Sequence, residues 1–314
     1  MFSCDVLYTL SVAMKRAGDL AIKVLSLFFA SIILIIIGGI VYELIRGSVP
    51  AFAKFGWGFI TTSTWDPVSE VFGALPFVFG TIVSSVIALI IALPVSIGIA
   101  IFLSELAASK VRMLVSLMIE LLAAIPSIIY GLWGLFVMAP YLQMRVEPFL
   151  GKYAGFIPLF KGPPLGIGML AGGLILAIMI VPTIASISRD IFDTIPMLNK
   201  EAGYAIGMTH WEVISKVMFP EARSGMIGAV MLGFGRALGE TMAVTMVIGN
   251  APKISASLFS PSYTIASVIA NEFTEATTKL YISSLIELGL LLFVISLIFN
   301  AAAQLLVKKG GAES

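Results

Sequence analysis

VFGALPFVFGTIVSSVIALIIALPVSIGIAIFLS, residues 71–104, contains no charged side chain. About 20 apolar residues in an α-helix cross the hydrocarbon core of a bilayer, so this run is long enough to span one. A membrane β-strand would alternate polarity at every second residue. This stretch is apolar in both phases, which makes it a helix. Reading outward from it, Val24 to Tyr42, Leu121 to Met144, Gly162 to Ser188 and Leu288 to Val307 are also uncharged. A further apolar stretch, 226–250, is interrupted by Arg236 and Glu240. The pattern predicts an all-α integral membrane protein with six transmembrane helices, near 20–45, 74–103, 113–139, 165–187, 226–250 and 282–307.

Composition agrees. Of the 314 residues, 59% are hydrophobic and only 12% charged, about half the charged share of a soluble domain. Both an ordinary cytosolic enzyme and a disordered chain are excluded. The net charge of +1 gives no basic excess for nucleic acid. Cys4 is the only cysteine and His210 the only histidine, which argues against an internal disulfide and against a His/Cys metal or haem site. The first apolar run exceeds a signal-peptide core and five more follow, so it reads as a retained anchor.

Lys and Arg placement sets the orientation. With the N-terminus inside, the inner segments carry Lys15, Arg16, Lys23, Lys110, Arg112, Arg189, Lys200, Lys216, Arg223, Lys308 and Lys309. The outer segments carry fewer: Arg46, Lys54, Arg145, Lys152, Lys161, Lys253 and Lys279. Both termini are then cytoplasmic. The expected organisation is an anchor helix and first outer segment (1–73), a core (74–307) with a cytoplasmic loop (189–223), and a tail (308–314). The outer segments are 46–73, 140–164 and 251–281, with a short amphipathic helix over 264–273.

The cytoplasmic loop contains DTIPMLNKEAGYAIGMTHWEVISKVMFPEAR, residues 193–223. Asp193 or Thr194 can cap a helix whose first turn takes Pro196, and Gly207 supplies its stop. Thr209 and Glu212 form a capping-box pattern that opens a second helix, closed by Pro220. A loop of this length with its own helices calls for a partner, because Met197, Ala202, Ala205 and Ile206 would otherwise face water.

Four ionisable residues fall in or near the spans: Glu120, Arg236, Glu240 and Glu287. Intramembrane charges usually face a bundle interior or a cavity. On a continuous helix Arg236 and Glu240, at i and i+4, share a face flanked by Ala229, Gly233, Gly239 and Ala243. Gly235 and Gly239 also make a G-x-x-x-G packing pattern. The pair either holds the bundle together or lines a pathway. In the second reading the guanidinium fork suits an oxyanion, and Glu240 either holds Arg236 in position or accepts the proton of a protonated oxyanion. Glu120, ahead of a kink at Pro126, reads as a hydrogen-bonded structural carboxylate, and Glu287 as facing an interface or snorkelling outward. Tyr130 and Trp133 read as packing or interface aromatics, and Asn250 as a residue of the pathway entrance.

Glu201-Ala202-Gly203, three residues, Gly207, nine residues and Val217-x-Phe219-Pro220 resemble the EAA signature of ABC importer permeases. Gly203 stands where the family has a second Ala, and Phe219 where it has Leu. The resemblance implies a type I importer permease (MetI-like) fold in which Glu201, Ala202, Gly203 and Gly207 dock a cytoplasmic ATPase. The chain has no G-x-x-x-x-G-K-[ST], so ATP and Mg would belong to that partner. GFGRALGETMAVTMVIGN (233–250), AAIPSIIYGLWGLFVMAP (123–140) and YTIASVIANEF (263–273) are similar to the C-type permeases of phosphate-specific (Pst) importers. That likeness covers most of the chain from about 70 onward. It implies phosphate transport, a pathway role for Arg236 and Glu240, and three kinds of partner: a second, PstA-like permease, a PstB-like ATPase dimer and a PstS-like extracytoplasmic binding protein. The alternatives are another oxyanion, sulfate or molybdate, and a proton-coupled secondary transporter using Glu240. No recognised hydrolase or metalloprotease motif supports an intramembrane enzyme.

Overall fold

The structure, a computed structural model, describes residues 3–311, with side chains described for residues 22–305. Among them the chain is helical. Helix α1 is Ser3–Phe55, α2 Leu75–Leu106, α3 Ser109–Ala124, α4 Ser127–Ala154 and α5 Met169–Thr194. Then come α6 Met197–Ala205, α7 over residues 210–239, α8 Met242–Val247, α9 Ile265–Glu272 and α10 Lys279–Gly311. Of the charges used for orientation, Lys15, Arg16, Lys308 and Lys309 have side chains outside the described set, and of the expected tail residues 312–314 lie outside the described residues.

Five helices are long and apolar enough to cross a membrane: Ile22–Phe55, Leu75–Leu106, Ser127–Ala154, Met169–Thr194 and Lys279–Leu305. The expected sixth, 226–250, is the broken pair α7 and α8. The expected third, 113–139, is displaced. Its first part is α3, a break falls at Ile125–Pro126, and α4 continues to Ala154. The kink at Pro126 was legible; the continuation was not. Pro140 and Pro148 fall in the expected outer segment 140–164 but lie inside helix, and Pro220 likewise sits within α7 rather than closing a helix. Each stands two residues past a π-helical turn: Gly134–Met138, Leu142–Val146 and Val213–Met218. Proline has no N–H to donate and its ring presses on the preceding turn. A π turn widens the helix there and relieves both defects.

The α5 helix is the hub. It packs along α2, α7, α3 and α8, and Ile175, Ile180 and Ile184 are fully buried with Ala88, Ala92, Val244 and Val247. Lipid is as apolar as leucine, so these helices are held by close packing rather than by water exclusion. A Cβ on Gly173 would lie 2.5 Å from Ile87 of α2, and one on Gly80 only 2.1 Å from the Tyr263 carbonyl. At the end of the bundle where α2 begins, Trp65, Phe72, Phe77 and Tyr281 form an edge-to-face and stacked cluster. There α1 docks on α10, with Ser283 Oγ accepting from the Ala51 amide at 3.0 Å and donating to the Gly47 carbonyl at 2.7 Å. The predicted helix over 264–273 is α9, capped by Thr264, which accepts from the Ser267 amide.

Candidate functional site

Two sites carry the charged and exposed residues of interest. The first surrounds Arg236. Helix α7 ends at Gly239, and Glu240 is extended (φ −70°, ψ 127°). Arg236 and Glu240 are therefore not on one continuous helix, which corrects the shared face expected from their spacing. The Glu240 carboxylate turns to α8 and accepts from the Ala243 amide at 3.3 Å. Gly239-Glu240-Thr241 follows a glycine-rich turn whose backbone is easily unwound. Irregular backbone in a membrane span persists only where protein buries it or where it lines a cavity.

Arg236 is exposed, and its Nη1 donates to Thr183 Oγ1 of α5 at 3.4 Å. Among the described residues no carboxylate forms an ion pair with it. Along the same side of α7, Leu232, Gly235 and Gly239 are also exposed, and a Cβ on either glycine would meet nothing within 4 Å. Among the described residues the G-x-x-x-G pattern thus packs against no other helix. Ala229 and Ala243, expected to flank the charged face, are instead buried, and Gly233 packs against Ile184 of α5. Asn250 sits in a turn with φ +47° and donates to the Thr245 carbonyl at 2.9 Å, tying off the end of α8.

Tyr130 is buried and donates to the Leu122 carbonyl at 2.7 Å across the Pro126 break, while Trp133 is exposed. Both line an apolar cavity of about 340 Å³ with Leu122, Ile125, Ile129 and Ile178. Glu120 is exposed on α3 and makes no hydrogen bond through its carboxylate among the described residues, and Glu287 is buried rather than at the surface. Thr183 was missed on the sequence: its meeting with Arg236 joins residues 53 apart, and nothing local announces it.

The second site is the loop between α5 and α7. Helix α5 runs through Asp193 and Thr194, so neither caps α6; Pro196 stands at that N-cap. Gly207 does end α6, at φ +84°. Its amide donates to Tyr204 O at 3.0 Å and the Met208 amide to Gly203 O at 3.1 Å, a Schellman stop. The capping box is present: Thr209 Oγ1 accepts from the Glu212 amide, and Glu212 Oε2 from the Thr209 amide. Lys216 and the Thr209 amide hold the Glu212 carboxyl down at about 2.

Gly203 is buried, and a Cβ there would lie 3.1 Å from Val213. The glycine lets α6 lie close on the start of α7. On the outside of α6 and its turn, Glu201 and Ala202 are exposed, as are Met197 (68%), Leu198 (73%), Ile206 (75%) and Trp211 (65%). So much apolar surface on a charged loop marks an interaction face. Beneath it lies a cleft of about 600 Å³ lined by Glu105, Arg112, Asp193, Lys200 and Glu201 among others. Arg112 pairs with Asp193, and Lys200 pairs with Glu105 at 2.6 Å.

Residues 96–309 match the family model of the binding-protein-dependent transport system inner membrane component. The phosphate transport system permease protein PstC of Mesorhizobium japonicum is 52% identical over 289 residues, covering 91% of this chain and 88% of that protein. The proteins of the same name from Pasteurella multocida and Haemophilus influenzae are each 48% identical and cover 90% of this chain, aligning over 89% and 90% of their own lengths. An inward-facing conformation of the MetNI methionine ABC transporter superposes with a TM-score of 0.51 at 20% identity, over 76% of this chain and 94% of that one. The latter shows a shared fold, that of an ABC transporter permease. The chain belongs to the family of binding-protein-dependent transport system inner membrane components, multi-pass membrane subunits of ABC transporters, in the branch of the PstC permeases.

Proposed function

We propose that this chain is a permease subunit of an ATP-driven importer that moves inorganic phosphate across the cytoplasmic membrane; its relatives are named phosphate transport system permease proteins. The observation that carries the reading is Arg236: an exposed guanidinium in a membrane helix, with no carboxylate paired to it among the described residues. An arginine facing lipid is strongly disfavoured. The face bearing Leu232, Gly235, Arg236 and Gly239 is therefore covered, and a second permease subunit supplies the cover. The pathway runs between the two, and the glycines leave room for a hydrated anion beside the guanidinium.

Within that pathway Arg236 grips two phosphate oxygens through its planar fork. Thr183 Oγ1 already accepts from Arg236, so its own proton is free for a third contact. Glu240, one short step along the broken helix, weakens the local positive field so that phosphate leaves as readily as it enters. It can also accept the proton of a protonated phosphate. Asn250 stands at the outer mouth. With both termini in the cytoplasm, Glu201, Ala202, Gly203 and Gly207 form the face seated on an ATPase dimer, which binds ATP and Mg. An extracytoplasmic phosphate-binding protein delivers cargo to the outer loops. Each partner acts by favouring one conformation of the spans over another.

The test is radiolabelled phosphate uptake at low external phosphate, in cells with and without this chain, competed by sulfate and molybdate. Loss of an uptake that resists both competitors is expected. Unchanged phosphate uptake, with redundant routes deleted, overturns the reading.

A further inference from the structure

Helix α6 is joined by the chain only to α5 and α7, yet its side chains reach a third span. Adjacent residues point in different directions: Asn199 Nδ2 donates to Glu221 Oε2 of α7 at 2.8 Å, and Lys200 Nζ donates to Glu105 Oε1 at 2.6 Å. Glu105 lies in the π-helical turn Phe102–Leu106 that ends α2. Both side chains of the second pair are about nine-tenths buried, 12% and 10% exposed. They differ from the other cross-element pairs, Lys54–Glu70 and Arg112–Asp193, which are each more than a third exposed. A desolvated ion pair is no better than apolar packing for simple adhesion. Its directional hydrogen bond instead fixes which residue meets which.

From Glu105 the second span leads to the Arg236 site. Ser96 Oγ of α2 donates to the Val181 carbonyl of α5 at 3.2 Å. Two residues on, Thr183 meets Arg236. We propose that Lys200 and Glu105 are positioning residues that clamp the docking helix to the second span, so that a push on α6 moves α2 together with α7 and reshapes the Thr183–Arg236 site from both sides. This rests on the reading of α6 as the ATPase dock. A chain of contacts is not itself proof of coupling, so the test must read coupling rather than stability.

The experiment uses the complete transporter in proteoliposomes and measures phosphate moved per ATP hydrolysed, with ATPase co-purification as the assembly control. Glu105→Gln and Lys200→Gln are each expected to lower that ratio about tenfold while ATP hydrolysis persists. The exchange Glu105→Lys with Lys200→Glu is expected to recover much of it. Arg112→Gln, which breaks the exposed pair in the same cleft, is expected to leave the ratio unchanged. An unaltered ratio in the single variants overturns the proposal. So does parallel loss of uptake, hydrolysis and assembly without recovery in the exchanged pair, because that marks a merely structural contact. An equal loss in Arg112→Gln overturns it too. If the wild-type complex hydrolyses ATP but moves no phosphate, the cargo assignment fails separately. The clamp is then read from whether the binding protein still stimulates hydrolysis in the variants, and loss of stimulation there supports it, while retained stimulation overturns it.

Discussion

Arg236→Gln separates a transport residue from a structural one, because the structure predicts opposite signs for folding and function. A guanidinium about 4 Å from a phosphate charge, at an effective dielectric of about 20, is attracted by about 4 kcal/mol. Glutamine returns a neutral hydrogen bond of about 1 kcal/mol. The net loss of about 3 kcal/mol corresponds to roughly a hundredfold fall in uptake per complex. Folding moves the other way. Among the described residues Arg236 has only the Thr183 hydroxyl as its hydrogen-bond partner, and Glu240 is engaged with the Ala243 amide. Removing the cation therefore strands no buried anion, and it relieves part of an insertion penalty that reaches about 2.5–3.5 kcal/mol for a charge at the bilayer centre. The variant should assemble at least as well as the wild type. Assembly is read by co-purification of the partner subunits, and transport by initial rates of radiolabelled phosphate uptake normalised to assembled complex. Uptake above about a tenth of wild type, or a loss of assembly in proportion to uptake, refutes the reasoning. Loss of assembly would identify Arg236 as the bundle-holding cation considered from its spacing with Glu240.

Three further outcomes are expected. Thr183→Val keeps the shape and loses the hydroxyl beside Arg236; a neutral hydrogen bond of about 1 kcal/mol predicts roughly a fivefold rise in the uptake KM with little change in maximal rate, and Thr183→Ser should restore it. Gly207→Pro cannot adopt φ +84° and removes the amide that bonds Tyr204; ATP-coupled uptake should be lost, whereas Gly207→Ala, which meets open space and pays only about 1–2 kcal/mol of left-handed backbone strain, should be partly active. Glu212 has its carboxyl held from 4.5 down to about 2, so its cap and its Lys216 contact are fully present above pH 4.5 and are lost as the pH falls toward 2. Amide exchange of the 206–213 segment, corrected for intrinsic pH dependence, should accelerate across that window and not above it.

Much of this was legible in the sequence, and the misses share a cause. Charge-free runs located four of the spans, because the bilayer acts on average apolarity. The capping box at Thr209–Glu212 and the stop at Gly207 were legible because a cap is local: a few side chains and one backbone angle decide it. Proline misled where a wider helical turn accepted it. Pro140, Pro148 and Pro220 have the composition of loop boundaries, and no property of proline alone distinguishes a chain that stops from one that widens by a residue.

The Arg236–Glu240 spacing failed for a related reason, and the failure bears on function. Helical periodicity assigns both residues to one face only while the helix continues, and here it ends between them. An unbroken helix would let the two charges neutralise each other at short range, leaving little field for a third ion. The break at 240 sends the carboxylate to the Ala243 amide and leaves the guanidinium with a neutral hydroxyl. The same unwinding that defeats the sequence pattern thus keeps the cation available to an anion, with a carboxylate close in the chain but not bonded to it. Restoring continuity should therefore impair transport even with both charges intact. Gly239→Ala, which finds open space for its methyl and favours helix by about 1 kcal/mol, should extend α7 toward Glu240. The expected result is slower uptake at unchanged assembly; equal or faster uptake would show that the break at 240 has no part in holding Arg236 free.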